Sequence, residues 1–174
     1  MRAAFSLAGF RRGLRVGVAL GTAIFIYGLA FGLVAAQAGL SWGWALAMSV
    51  SVFSGSAQLA AMSLIQAGEA TLLTLFATVL VMNARYLLFG ATIQPWLSQA
   101  GPLRGYGSMV LLGDANWIAT MRAAEKGEAD RAYLVGTGVP VVGAWLAGTL
   151  VGVLFGAVLP DPHALGADLM LPAF

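Results

Sequence analysis

Cysteine is absent from the 174-residue sequence, and histidine occurs once. The lack of cysteine excludes thiolate catalysis, disulfide bonds, zinc–thiolate sites and iron–sulfur clusters. The single histidine, His163, lies in the polar segment PDPHALG, and we interpret it as a loop residue rather than as a proton relay or a metal ligand. The sequence therefore predicts neither a metal site nor a cofactor.

Charged residues are also scarce. They make up 9% of the sequence, whereas average soluble domains contain about 25%. Apolar residues make up 60%, so the few charges could not cover the surface of a soluble domain. The net charge of +2 comes without a basic patch interleaved with aromatic residues, so we expect no nucleic-acid partner. The expected surroundings are a lipid bilayer.

Five apolar segments are long enough to cross a bilayer, which takes about 20 helical residues. The segments cover residues 16–40, 42–67, 71–93, 105–122 and 133–159. Pro95 follows the third segment and Pro160 the fifth, and both are interpreted as stops. The predicted fold class is therefore all-α, a polytopic helical membrane protein with about five transmembrane helices.

The whole chain, residues 1–174, is predicted to form a single transmembrane domain. Residues 1–15 are basic and are interpreted as a cytoplasmic or interfacial N-terminus, because basic residues mark the cytoplasmic side. The second dense basic cluster, in residues 122–131, follows the fourth predicted span and should lie on the same side. After the polar segment at 160–166 the sequence turns apolar again, and residues 160–174 are predicted to be the start of a further helix or an interfacial segment.

Two predicted spans contain signs of a broken helix. Residues 135–140, VGTGVP, place two glycines beside a proline in the fifth span. Residues 54–58, SGSAQ, form a polar stretch in the middle of the second span. Such breaks bind substrates in many secondary transporters. For the second span, a helix contact whose serines bond back to the previous turn explains the pattern equally well.

Two opposite charges lie inside the predicted spans, Arg85 in the third and Asp114 in the fourth. Both are about eight or nine residues from the same end of a helical hairpin, and this depth lets them pair. Three interpretations remain open. The pair is a fixed lock between two helices, or Asp114 carries a proton whose affinity Arg85 adjusts, or Arg85 binds a substrate carboxylate.

Neighbouring polar residues extend this candidate site. Asn83 precedes Arg85 by two positions, and Ser54, Ser56 and Gln58 come from the polar stretch of the second span. We predict Arg85, Asn83, Ser54, Ser56 and Gln58 as substrate-binding residues and Asp114 as the proton-coupling residue. No nucleophile–base set is recognisable, so no catalytic residue and no enzymatic activity are predicted.

The sequence resembles the AzlC family, the large subunit of branched-chain amino acid exporters. The resemblance rests on strings in four spans, on Gly136 and Trp145, and on the last ten residues. The strings are YGLA at 27–30, SVFSGSAQ at 51–58, NARYLLFG at 83–90 and the aspartate at 114. Family members usually continue past the LPAF-like ending with further helices, so this chain is expected to be C-terminally shortened.

The resemblance implies a multi-pass permease of the bacterial inner membrane that exports branched-chain amino acids and is driven by the proton gradient. It also implies a small membrane partner of the AzlD type. A zwitterionic substrate needs a cation for its carboxylate and an acceptor for its ammonium group, and Arg85 and Asp114 supply both. The alternative is a non-transporting structural subunit, or a truncated remnant of a membrane complex, in which the ion pair is only a lock.

Overall fold

The computed structural model describes residues 5–97, 102–128 and 130–158, and these residues form helices without any strand. The helices are α1 Leu7–Gln37, α2 Trp42–Val52, α3 Gly55–Gln66, α4 Leu72–Asn83, α5 Arg85–Leu97, α6 Pro102–Met109, α7 Asp114–Glu125 and α8 Arg131–Val158. The prediction of an all-α membrane protein is confirmed. Within the described ranges, three segments are long and apolar enough to cross a bilayer: Leu7–Gln37, Leu72–Leu97 and Arg131–Val158. The total of five spans stays a prediction.

The predicted break in the second span is present. Helix α2 ends at Val52 because Phe53 adopts the left-handed conformation, with φ 48° and ψ 39°, and Ser54 is extended. A non-glycine residue in this region is uncommon and ends a helix. The structure contains one further break that we did not predict, between α6 and α7, and a single-residue turn at Ala84, where the backbone stays helical at φ −54° and ψ −27°.

The predicted break in the fifth span is wrong, because α8 is one continuous helix with Pro140 inside it. Membrane helices tolerate proline where neighbouring groups compensate. In this helix the ring of Pro140 packs closely against Gly17 of α1. Pro95 likewise lies inside α5 and does not end it. Residues 160–174, with His163, lie outside the described residues.

The chain forms two compact units. Unit 1 comprises Met1–Ala23 and Arg85–Gly143, and unit 2 comprises Ile24–Ala84 and Ala144–Phe174. Each unit has its own hydrophobic core. The core of unit 1 lies around Ile93, Leu97 and Leu134, and that of unit 2 around Phe31 and Met62. Helices α1 and α8 contribute to both units. A single domain over residues 1–174 stays a prediction.

Small residues bring α1 and α8 into backbone contact within each unit. In unit 1, a Cβ atom added to Gly17 would lie 2.5 Å from the Thr137 carbonyl oxygen. In unit 2, a Cβ atom added to Gly28 would lie 2.5 Å from the Trp145 carbonyl oxygen. Close approach through glycine is the usual way in which helices gain contact in lipid. These glycines therefore serve the packing of α1 against α8 within each unit.

The contacts in unit 1 also show that α1 and α8 run in the same direction. Gly13 lies against Tyr133, and Gly17, further along α1, lies against Pro140, further along α8. At the start of both helices, Ser6 donates a short hydrogen bond to the Asp130 carboxylate. The start of α1 and the start of α8 therefore lie at the same end of unit 1, as the argument from basic residues requires. Which side of the membrane this end faces stays a prediction.

Candidate functional site

Arg85 and Asp114 form an ion pair in unit 1, with 3.0 Å between Arg85 Nη2 and Asp114 Oδ2. Asp114 is the first residue of α7, directly after the extended residue Gly113, whereas Arg85 follows the single-residue turn at Ala84, where the backbone stays helical. A carboxylate at a helix N-terminus is favoured by the helix dipole. The break between α6 and α7 therefore places Asp114 at a helix end, whereas Arg85 lies within the Leu72–Leu97 segment.

The break before Asp114 is held by the side chain of Asn116. Its Oδ1 accepts from the Gly113 backbone N–H at 2.7 Å, and its Nδ2 donates to the Leu111 carbonyl at 2.6 Å. This fully buried amide therefore holds the backbone at the start of α7, directly before Asp114 in the chain.

The ion pair is not sealed by protein. The Arg85 side chain keeps 35% of its surface exposed and the Asp114 side chain 45%. Asp114 Oδ1 is covered, yet it has no hydrogen-bond partner among the described residues. Charged groups that face lipid are costly, so intramembrane charges usually face a bundle interior or a wet pathway. The open side of this pair is therefore suited to water, a polar ligand or another polypeptide.

An aromatic row lies beside the pair in the same unit. The Arg85 guanidinium lies 5.6 Å from the centre of the Tyr86 ring, whose edge meets Phe89. Phe89 stacks on Trp117 with 4.4 Å between ring centres, and Trp117 Nε1 donates to the Thr92 hydroxyl at 3.1 Å. The arrangement combines a cation, an anion and an apolar wall, which are the groups that a zwitterion with an apolar side chain requires.

The other predicted site residues belong to unit 2. Gln58 is fully buried, and its Nε2 donates to the Ser49 hydroxyl at 3.1 Å, which in turn shares a 3.0 Å hydrogen bond with Thr149. Ser54, 2% exposed, and Ser56 lie on either side of the start of α3, and their hydroxyls are 3.5 Å apart. Unit 2 therefore contains a neutral polar network at the break between α2 and α3.

Asn83 ends α4 and supports the same break. Its Nδ2 donates to the carbonyl of Val52, the last residue of α2, at 3.3 Å. An α-helix leaves its last carbonyls without a partner of its own, so this amide caps α2. The structure thus brings Arg85 together with Asp114 in unit 1, and it brings Asn83, Ser54, Ser56 and Gln58 to one helix break in unit 2.

Comparison with known proteins agrees with this architecture. The model of a protein family described as "AzlC protein" matches residues 19–159. The chain belongs to the AzlC family. Two proteins named "Uncharacterized membrane protein", from Helicobacter pylori strains J99 and 26695, are 25% and 24% identical to it over 132 residues. These residues cover 76% of this chain and 58% of each relative, so the chain spans little more than half the length of these curated relatives. No solved structure matches.

Sequence reasoning missed several residues of this AzlC protein that contribute to the two polar sites. Ser49 and Thr149 are hydroxyl residues in strongly apolar spans, and both are fully buried. Phe89 and Trp117 each follow a predicted site residue within about one helical turn, since Phe89 comes four positions after Arg85 and Trp117 three after Asp114. Spacings of three and four residues place side chains on one helix face, and this signal was available.

Proposed function

We propose that this membrane protein is a secondary transporter that exports branched-chain amino acids across the bacterial inner membrane, coupled to protons. The open ion pair of Arg85 and Asp114 carries the proposal. An ion pair that served only to lock two helices needs no open side, because protein hydrogen bonds can satisfy its remaining atoms. This pair leaves a third or more of each side chain exposed.

The chemistry of the pair suits a zwitterion. The Arg85 guanidinium can bind the substrate carboxylate through two parallel hydrogen bonds, and the Asp114 carboxylate can accept from the substrate ammonium group. The aromatic row of Tyr86, Phe89 and Trp117 offers an apolar surface to an aliphatic side chain. Binding then replaces one ion pair by two, so neither charge is left without a counter-ion.

The same arrangement gives a reason for proton coupling. A proton on Asp114 removes the negative charge that the substrate ammonium group requires, so proton and substrate compete for one carboxylate. Mutually exclusive binding of two ligands is what an exchange of protons for amino acid needs, because each ligand then returns the carrier to the opposite side. Asp114 is therefore the proposed proton-coupling residue, and Arg85 the main substrate-binding residue.

The polar residues of unit 2 differ in which atoms they can offer to a substrate. Ser54 and Ser56 remain proposed substrate contacts, because hydroxyl groups donate and accept at a helix break. The amide nitrogens of Asn83 and Gln58 are already engaged with Val52 and Ser49, so only their oxygens are left for a ligand. An AzlD-type small subunit as partner and a cytoplasmic N-terminus complete the proposal.

Transport assays in proteoliposomes test the proposed export function. The protein is reconstituted with and without an AzlD-type subunit, and the flux of labelled valine is measured with and without a pH gradient. We expect flux that depends on the gradient and is lost in the Asp114→Asn variant, which cannot carry the proton. The absence of flux with the partner subunit present would instead favour the alternative, a non-transporting subunit of a membrane complex.

A further inference from the structure

Two buried amide oxygens in unit 2 have no hydrogen-bond partner among the described residues. They are Gln58 Oε1 and Asn83 Oδ1. A buried polar atom without a partner costs about 1–3 kcal/mol, so each such atom in a protein calls for an explanation. In both side chains the nitrogen of the same amide group is bonded, and the partners of these nitrogens fix where the free oxygens lie.

Both amide groups attach to the last turn of α2. Gln58 Nε2 donates to Ser49, and Asn83 Nδ2 donates to the carbonyl of Val52. Ser49 and Val52 are three residues apart, so they lie on one face of the helix. Each oxygen shares a carbon atom with the bonded nitrogen. The two free oxygens are therefore beside the C-terminal end of α2, where its last carbonyls carry the negative end of the helix dipole.

The oxygens at this helix end, Gln58 Oε1, Asn83 Oδ1 and the last carbonyls of α2, are hydrogen-bond acceptors without formal charge. The described residues of unit 2 contain one charged side chain, Glu69, which lies between α3 and α4. Sites for Ca²⁺ and Mg²⁺ depend on carboxylates, whereas rings of carbonyl oxygens and unwound helix ends hold Na⁺ or K⁺ in membrane proteins. The chemistry therefore selects a cation with a single charge.

We propose that the C-terminal end of α2, with Gln58 Oε1 and Asn83 Oδ1, binds a small monovalent cationic group. Ser49 and Thr149 act as positioning residues, because their shared hydrogen bond fixes the hydroxyl that holds the Gln58 amide. The group has two possible sources, a free Na⁺ or K⁺ ion and the ammonium end of an amino compound. The proposal concerns binding and does not require that the protein transports amino acids.

Thermal unfolding of the purified protein in detergent tests the site without a transport assay. The unfolding midpoint is measured in NaCl, KCl and isobutylammonium chloride, with choline chloride at equal ionic strength as the reference. A bound ligand stabilises the folded state in proportion to the logarithm of its concentration above Kd. We expect a rise in the midpoint with Na⁺ or K⁺ if the source is a free ion, and with isobutylammonium if it is an amine. Identical midpoints in all four salts would overturn the proposal.

Two variants locate the site. Gln58→Glu and Asn83→Asp keep the shape of each amide and add a negative charge, so the half-saturating concentration of the cation should fall about tenfold or more. Gln66→Glu adds the same charge at the exposed end of α3 and should leave the half-saturating concentration unchanged. If Gln58→Glu does not fold, the half-saturating concentration is compared between Asn83→Asp and the wild type. Cation stabilisation that is the same in the folded variants and the wild type would refute the assignment to α2.

Discussion

The two units solve the problem of polar groups in an apolar protein in opposite ways. Unit 1 contains a pair of full charges that it leaves 35% and 45% exposed. Unit 2 contains Ser49, Gln58 and Thr149, which are neutral and completely buried. Neutral groups can satisfy one another at a cost that an apolar core tolerates, whereas charges lose much more when water is removed. The difference indicates that the charges are there for a ligand that must reach them.

The largest effects are expected from removing one charge. Arg85→Ala or Asp114→Asn should lower valine flux by roughly 10- to 100-fold, the range that corresponds to one lost charge-assisted hydrogen bond. Each single variant should also lose about 1–3 kcal/mol of unfolding free energy, less than a fully buried pair would, because solvent screens the remaining charge. Flux and thermal unfolding in detergent measure the two quantities.

A double variant distinguishes a transport site from a lock. Arg85→Gln combined with Asp114→Asn removes both charges, so it should be more stable than either single variant and still be inactive. Arg122→Ala, at the exposed end of α7, is the control and should leave both stability and flux unchanged. A double variant with normal flux would show that the pair has no role in transport, and unimpaired flux in Arg85→Ala would exclude the role of Arg85 in binding a carboxylate.

The next largest effects on the free energy of unfolding should come from the contacts between α1 and α8. Both units use glycines for these contacts. Gly17→Leu in unit 1 and Gly28→Leu in unit 2 place a side chain where a backbone carbonyl already lies. Overpacking of this kind costs typically 1–3 kcal/mol, and we expect the upper end, because backbone yields less than a side chain.

Gly43→Ala in α2 is the matched control for these substitutions. A Cβ atom there meets nothing within 4 Å, so the change should be neutral or stabilise the helix by up to about 1 kcal/mol. The midpoint of thermal unfolding gives the comparison. If Gly28→Leu unfolds at the same temperature as Gly43→Ala, the contact between the helices in unit 2 does not contribute to stability.

The sequence predicted those parts of this structure that depend on composition and local conformation. Long apolar runs predicted helices, and the polar stretch at 54–58 predicted the end of α2, because serine and glycine favour a non-helical start. The break predicted at Pro140 is wrong, because whether a proline breaks a helix depends on which groups surround its ring. The break before Asp114 was missed for the same reason. It is held by the Asn116 side chain, whose bonds to Gly113 and Leu111 are visible only in three dimensions.

Smaller effects are expected from the neutral network of unit 2. Ser49→Ala and Thr149→Val should each cost about 1 kcal/mol of unfolding free energy, and the double variant should cost less than the sum by roughly 0.6 kcal/mol, the mean for interhelical hydrogen bonds in membranes. Ser63→Ala, whose hydroxyl is bonded to its own helix, is the control. Strictly additive effects of Ser49→Ala and Thr149→Val would show that their hydrogen bond makes no net contribution.

The smallest effect separates the two contacts of Trp117 in unit 1, its hydrogen bond to Thr92 and its stacking on Phe89. Trp117→Phe removes the hydrogen bond to Thr92 and keeps a ring stacked on Phe89, so it should cost about 0.5–1 kcal/mol of unfolding free energy and change the KM for valine less than threefold. Trp117→Ala removes the ring as well and should raise the KM further, because the aliphatic side chain of the substrate then loses its apolar surface. Trp44→Phe, 73% exposed on α2, should change neither value. An equal KM in Trp117→Ala and the wild type would mean that the aromatic row supports the fold and does not contact the substrate, and the specificity of the transporter would then have to come from other residues.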